Sequence, residues 1–406
     1  MGIVGPEMID PLYYERYGYP HASWACLRQY DPVAWMEPPG MEPFWAVTRY
    51  ADLSAIARDP KRWKINPRMA VFPEAQFAAD NPPFRHLLNM DPPEHGKYRN
   101  LLSLHFTPKT LAPKREAVAR IVGEALDRLA ERREADFVED FAAIIPLAVI
   151  AEMIGLPRAD WKLMFDLSNA IIASEDPEFQ KGSTTHETIN RAVQTSFDYF
   201  RAMVEERRRA PRDDLASALA TAEVLGAPIA EWELLSYFVL LLVAGNETTR
   251  NATSGGLLAL LDHRDELEKL RADPALVPSA VEEIVRWVSP VIQFCRTADE
   301  AVPVGDRTVR AGESVCLLYP SANRDESVFP DPFAFRVDRS PNEHLAFGIG
   351  VHFCLGANLA RLELQEIFRQ LVPRLAEAEL AGPVERMRSS FVGGIKHMPI
   401  RYRLAA

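Results

Sequence analysis

Cysteine is scarce in this chain: four in 406 residues, at positions 26, 295, 316 and 354, with no CxxC pair among them. So few and so scattered, they exclude a disulfide framework and a cysteine-paired metal site, and they point to a reducing compartment. A long hydrophobic run is also missing. The longest, Tyr237 to Gly245, falls far short of the ~20 residues that cross a bilayer. The N-terminus has neither a basic region nor an apolar core, so no leader or anchor is expected there. Positive charge is in deficit, 46 Lys and Arg against 57 Asp and Glu, a formal net charge of −11. That balance disfavours nucleic acid and anionic membrane surfaces as main partners. Repeats, low-complexity tracts and flexible linkers are lacking too, and a cytoplasmic protein is expected.

Hydrophobic residues make up 48% of the chain and charged residues 25%, the balance of a core-forming globular protein. Proline is plentiful, 32 in all. It gathers outside the periodic segments, at 32, 38, 39 and 43, at 82, 83, 92 and 93, and at 320, 330 and 332. Helical apolar spacing predicts helices over 110–133, 139–154, 187–209, 230–261 and 278–288. Strand signals are few: 32–36 with 44–48, 302–304 with 307–309 across Gly305-Asp306, then 314–319 and 400–404. The pattern is mainly α with small β-sheets. With no clean boundary, 1–406 is expected to be one folding unit, β-rich near 30–50, 290–320 and 390–404.

The segment 230–261 is apolar on nearly all sides at its middle, SYFVLLLVAGNETTRN, so it is expected to run through the centre of the molecule. Ala244-Gly245-Asn246-Glu247-Thr248-Thr249 then interrupts it. Glycine costs a helix about 1 kcal/mol relative to alanine. A threonine hydroxyl can turn back on the carbonyl four residues earlier, which for Thr248 is that of Ala244. Two readings stay open from the helix alone. It either passes from buried to exposed here, or opens one turn to set a hydroxyl and a carboxyl beside a buried cavity.

Residues 345–364 read LAFGIGVHFCLGANLARLEL. Glycines at 348, 350 and 356 permit tight turns and close approach. Cys354 precedes a good helix pattern, and a sulfur near a helix N-terminus is favoured as thiolate. Such a thiolate suits an axial metal ligand or a nucleophile, although a lone cysteine is ordinarily a buried, inert one. The run Phe347-Gly348-x-Gly350-x-His352-x-Cys354-x-Gly356 resembles the haem-binding signature of the cytochrome P450 family.

The resemblance implies the cytochrome P450 fold, a triangular helical body with a long central helix and a β-rich N-terminal lobe, and haem b held by iron at Cys354. It extends along the chain in order. Glu283 and Arg286 match the ExxR pair, completed by an arginine of FPDPFAFRVDR, Arg339 or the nearby Arg336. Ala244, Gly245, Glu247 and Thr248 resemble the oxygen-activation motif, with Thr248 supplying a hydrogen bond and Glu247 relaying protons. His95, Arg99, Arg296 and His352 stand where the family holds the haem propionates, and Ala346, Phe347, Gly348 and Gly356 where it wraps the haem.

The activity implied is a monooxygenase that activates O2 and hydroxylates a hydrophobic small molecule. Its electrons come from a ferredoxin served by an NAD(P)H-dependent reductase, with no reductase domain fused to the chain. Lys97, Lys109, Lys114, Arg115 and Arg361 are candidates for a basic docking patch, or are scattered solvated charges. Leu240, Leu241, Val291, Ile292, Gln293, Phe294, Phe391 and Val392 are expected to line the substrate pocket, with Gln293 a possible polar anchor and 66–90 a lid. AGNETTRN, ANRDE and GGIKHMP resemble members acting on steroids, terpenoids and branched lipids. Aromatic hydrocarbons and fatty acids stay open as substrates. So do peroxide-driven peroxygenation and, with less support, haem binding without catalysis.

Overall fold

The computed structural model describes residues 5–71 and 85–404; part of the expected lid, 72–84, lies outside the described residues. The main helices of the body are α1 (Glu94–Ser103), α2 (Arg115–Ala130), α3 (Ile144–Ile154), α4 (Trp161–Ile172), α5 (Thr185–Arg209), α6 (Glu231–Asp262), α7 (Val277–Val288) and α8 (Ala357–Arg374). The period-3.6 segments of the sequence thus become helices, with ends shifted by a few residues where caps and prolines decide them. Helix α6 is buried along most of its length and packs against α3, α4, α5, α7 and α8. It is central because its middle turns have no polar face to give to water.

The largest sheet has five strands: β1 (Val33–Met36), β2 (Phe44–Val47), β3 (Trp63–Lys64), β4 (Gln293–Ala298) and β5 (Ser314–Leu318), ordered β1-β2-β5-β4-β3. Strand β4 pairs antiparallel with β5, with Cys295 opposite Cys316 and Arg296 opposite Val315. Both faces are covered. Val33, Val47, Val315 and Leu317 enter one apolar cluster, while Ala34, Ala46, Cys295 and Cys316 enter another. Burial on both sides erases the alternating pattern, which is why β4 carries no strand signal in the sequence. The expected hairpin at 302–309 is present, and the terminal strand Pro399–Leu404 joins Leu375–Leu380 and Glu134–Asp136 in a separate small sheet.

Glu283 and Arg286 are both fully buried in α7. Arg286 donates Nε and Nη2 to the Glu283 carboxylate at 2.7 and 2.8 Å. Arg339 is the arginine that completes the group, its Nε 3.0 Å from Glu283 Oε2. Arg336 contributes only its backbone N–H, at 3.0 Å. Each guanidinium spends its remaining donors on backbone carbonyls: Arg286 on Asn323 and Pro332, Arg339 on Pro330, Asp331 and Ala334. A buried charge is tolerated only when neutralised and hydrogen-bonded in this way. Arg286→Met leaves Glu283 partly uncompensated and is expected to destabilise the fold by about 3–5 kcal/mol. Urea unfolding measures this, and an unchanged midpoint contradicts it.

Glu363 in α8 is the opposite case. It is buried, its Oε2 has no hydrogen-bond partner among the described residues, and burial pushes its carboxyl from 4.5 up to about 8. Its neutral form is therefore the folded form near pH 7. Stability from this group is full below about pH 4.5 and is lost as pH rises toward about 8. Glu363→Gln keeps the neutral shape, so its advantage over wild type grows by up to ~1.4 kcal/mol per pH unit across that window. Thermal midpoints from pH 4 to 9 check this; a pH-independent difference between the two proteins refutes it.

Candidate active site

A cavity of about 250 Å³ lies between α6, the loop that precedes α8, and the end of β4. Its floor is the glycine-rich stretch. Gly348 (φ 67°) and Gly350 (φ 75°) adopt left-handed backbone, and a Cβ on Gly350 would lie 2.3 Å from the Ala57 carbonyl oxygen. That contact presses the loop onto the N-terminal lobe and permits no side chain. The Cys354 N–H donates to the Phe347 carbonyl at 2.8 Å, folding the loop back on itself. Cys354 then faces the cavity three residues before α8.

The thiol is not the ready thiolate that its place before a helix suggests. Burial pushes it above its ordinary value, while the N–H groups of Gly356 and Ala357 and the charges of Arg99 and Arg361 pull the other way. Desolvation outweighs the helix end here. A bound cation reverses that balance, because a coordinated thiol is deprotonated outright.

Across the cavity, α6 brings Leu240, Leu241, Ala244, Gly245, Glu247 and Thr248 to the wall. The Thr248 hydroxyl donates to the Ala244 carbonyl at 3.1 Å, as its spacing predicts. Of the two readings left open, the opened turn is not seen: Glu231–Asp262 is one continuous helix. Gly245 is required because a Cβ there would meet Ile150 at 2.9 Å. The Glu247 side chain is held in an ion pair with Arg250, and receives Ser168 Oγ and Asn246 Nδ2, each at 3.3 Å. Burial raises its pKa against the lowering pull of Arg250. Arg250 is itself buried, donating to Asn169 Oδ1 at 2.8 Å. The sequence reading missed this partner, although its place three residues after Glu247 was a usable signal.

Four donors gather at the cavity's polar end. The rings of His95 and His352 sit 4.3 Å apart, and His95 Nε2 and His352 Nδ1 have no hydrogen-bond partner among the described residues. Burial first, then neighbouring cations, lowers His352 to about 2; burial and Arg99 lower His95 to about 4. Arg99 donates to the Phe353 carbonyl and Arg296 to that of Cys295, both at 2.7 Å. Neither arginine has a carboxylate partner among the described residues. Unsatisfied donors and uncompensated positive charge call for an anion. The remaining lining is apolar, with Ala346, Phe347 and Gly348 on one side and open space where a Gly356 Cβ would stand. A flat, apolar, metal-bearing ring with two carboxylates fits this set, so the residues present suit haem.

Val291, Phe294, Phe391 and Val392 line the cavity, whereas Ile292 and Gln293 do not. For Gln293, alternation along the strand is the reason. Phe294 and Arg296 point one way, while Gln293 and Cys295 point the other. Gln293 accepts from Val71 N at 2.9 Å and donates to the carbonyls of Val71 (3.2 Å) and Ser390 (3.4 Å). It ties chain segments together and is not a polar anchor in the pocket. Ile292 is buried in the apolar cluster with Ala34 and Cys295. Leu87 and Leu88, from the expected lid, also line the cavity, as do Ile172, Tyr237, Tyr319 and Glu363, which were not foreseen. Of the five candidate docking cations, Arg361 pairs with Glu282 at 2.7 Å and Arg115 pairs with Glu366. Lys97, Lys109 and Lys114 have no ion pair among the described residues.

The model of the family Cytochrome P450 matches residues 178–376. A methyl-branched lipid omega-hydroxylase of Mycobacterium tuberculosis is 37% identical, over 94% of this chain and 90% of that protein. A steroid C26-monooxygenase of Rhodococcus jostii is 35% identical, over 99% of this chain and 86% of its own length. Among solved structures, CYP108D1 of Novosphingobium aromaticivorans superposes with a TM-score of 0.90 at 33% identity, covering 98% of each chain. No helix among the described residues is long and apolar enough to cross a membrane. Fold, cavity and kinship converge, and the chain belongs to the cytochrome P450 family as a haem b-binding monooxygenase.

Proposed function

We propose that this monooxygenase hydroxylates a steroid, terpenoid or branched lipid, and that Cys354 would hold the iron of its haem. The observation that carries the ligand assignment is Cys354 itself: it faces the cavity below the Ala244–Thr248 turn, with the N–H groups of Gly356 and Ala357 aimed at its sulfur. Bound haem supplies reductive activation of O2 and transfer of one oxygen atom to a C–H bond. The protein's own residues bind the substrate, keep water out and move protons. Leu240, Leu241, Val291, Phe294, Phe391 and Val392 offer a wall without a charge, and the Tyr237 hydroxyl is turned away onto the Tyr98 carbonyl at 3.0 Å. Such a wall suits a hydrocarbon, in keeping with the lipid and steroid hydroxylases among the relatives.

Thr248 holds a proton at Oγ1 on the cavity wall and can redirect it from the Ala244 carbonyl. Glu247 takes up a proton at the edge of the cavity, where Arg250 and Ser168 hold its two oxygens. Leaving the Arg250 pair carries that proton toward the cavity. This intact relay favours an O2-driven enzyme over a peroxide-driven one. Electrons come from a separate ferredoxin and its NAD(P)H-dependent reductase. Lys97 and Lys109 support this docking, since they lie on segments that meet the Cys354 region: Arg99 reaches the Phe353 carbonyl, and Asn358 Nδ2 donates to that of Phe106 at 3.1 Å.

Reduced with dithionite and exposed to carbon monoxide, wild type is expected to show the strongly red-shifted Soret band of thiolate ligation, and Cys354→Ser to lose it. An imidazole-like band in wild type overturns the assignment. Thr248→Ala is expected to keep that band while product per NAD(P)H falls several-fold and peroxide rises. Unchanged coupling sinks the relay.

A further inference from the structure

Five tyrosines among the described residues are buried: 14, 98, 237, 319 and 402. Four of them satisfy their hydroxyls within the protein. Tyr14 donates to the Met8 carbonyl at 2.6 Å, Tyr98 to Glu233 Oε2 at 2.5 Å, Tyr237 to the Tyr98 carbonyl at 3.0 Å and Tyr402 to the Leu129 carbonyl at 2.7 Å. The Tyr319 hydroxyl makes no hydrogen bond among the described residues, yet the residue is only 4% exposed and lines the cavity. A buried phenol ordinarily finds a partner for its O–H. For Tyr319 the partner has to come from the cavity.

Its position shows which end of the cavity is meant. Across β4 and β5, Arg296 is opposite Val315 and Phe294 is opposite Leu317. The same alternation carries Tyr319, which follows β5, onto that face. Its ring meets Phe294 edge-on at 6.3 Å, and its phenol lies within the field of Arg296. Burial keeps the phenol protonated, and so able to donate, well above neutral pH. An O–H donor beside an unpaired guanidinium makes a carboxylate subsite, and charge-assisted bonds of this kind are among the stronger ones.

We propose that the Tyr319 hydroxyl, together with Arg296, binds a carboxylate in the cavity, and that this carboxylate is a haem propionate. The inference rests on the reading of the cavity as the haem site. A propionate is favoured over the carboxyl end of a substrate because Arg296 acts on the same cluster as Arg99, His95 and His352. The pocket lining contributed by α6, by contrast, carries no cation.

The test is Tyr319→Phe in the haem-loaded protein without substrate, which keeps the ring and removes one hydroxyl. Haem transfer to excess apomyoglobin is expected to quicken about tenfold, equivalent to ~1.4 kcal/mol. The propionate bending band in the resonance Raman spectrum is expected to shift. If both stay at wild-type values, the propionate assignment is overturned. Titration with palmitic acid, read as a spin-state change, then shows whether a substrate carboxylate takes the hydroxyl instead. Failure of the underlying haem reading appears separately, as a wild-type protein without the thiolate band.

Discussion

The negative charge of Glu283 sits where water does not reach, and the Cys354 side of the molecule is arranged around neutralising it. Arg286 and Arg339 close on its carboxylate, Asn342 Nδ2 adds a donor at 3.2 Å, and both guanidiniums gather carbonyls from 323–334. The loop is thereby shaped by the geometry of two planar forks. Asn323, whose carbonyl receives Arg286, accepts the N–H of Leu345 on its side chain at 2.7 Å. The stretch that carries Cys354 thus hangs from the buried ion group through one asparagine. Glu282, the preceding residue, holds the other end: it takes Arg361 of α8 at 2.7 and 2.8 Å, and His344 at 3.1 Å. Burial pushes Glu282 up, but these two partners more than offset it and keep it near 2. Consecutive acids on one helix therefore fix both flanks of Cys354.

Burial acts on the acids and histidines around the cavity, and the partner decides the result. Glu363 has none for one oxygen and becomes a neutral acid. Glu247 has Arg250 but lies deep enough that desolvation still prevails. His95 and His352 are neutral donors whose free nitrogens await an acceptor. The wall that takes anions is thus built from two permanent cations, Arg99 and Arg296, and from neutral groups that donate. Opposite it, α6 offers mainly alkyl side chains with Thr248 and Thr249, and no cation. This separation lets one cavity hold a charged ring edge and a hydrocarbon at once.

Much of the body was legible in the sequence because amphipathic and all-apolar helices have a period that survives in one dimension. The segments at 187–209 and 230–261 are close to the observed Thr185–Arg209 and Glu231–Asp262. Strand Gln293–Ala298 was legible only as part of the β-rich stretch 290–320 and not by its own ends, since a strand covered on both faces has no alternation to detect. The same strand explains one of the two misplaced pocket residues. Phe294 and Arg296 could be placed by motif, but which neighbours turn away depends on the strand's orientation, and so Gln293 was assigned to the wrong face, while Ile292 precedes the strand and packs with Ala34 and Cys295. The turn at Ala244–Thr248 was read correctly in its hydroxyl-to-carbonyl bond, while the helix absorbed that bond without breaking.

The sequence by itself determined the chemistry on offer: one cysteine in a glycine-rich loop before a helix, a Glu-Thr step in a buried helix, an acid and an arginine three residues apart. These are local patterns, and their meaning lies in spacing along the chain. Only the tertiary structure decided the partners. It chose Arg339 over Arg336, because the loop presents the former's side chain and only the latter's backbone to Glu283. It set Arg250 on Glu247, withdrew Arg115 and Arg361 into ion pairs, and left the Tyr319 hydroxyl on a cavity wall without a partner among the described residues. Burial and pairing are properties of the packed whole, since water is removed only when distant segments meet.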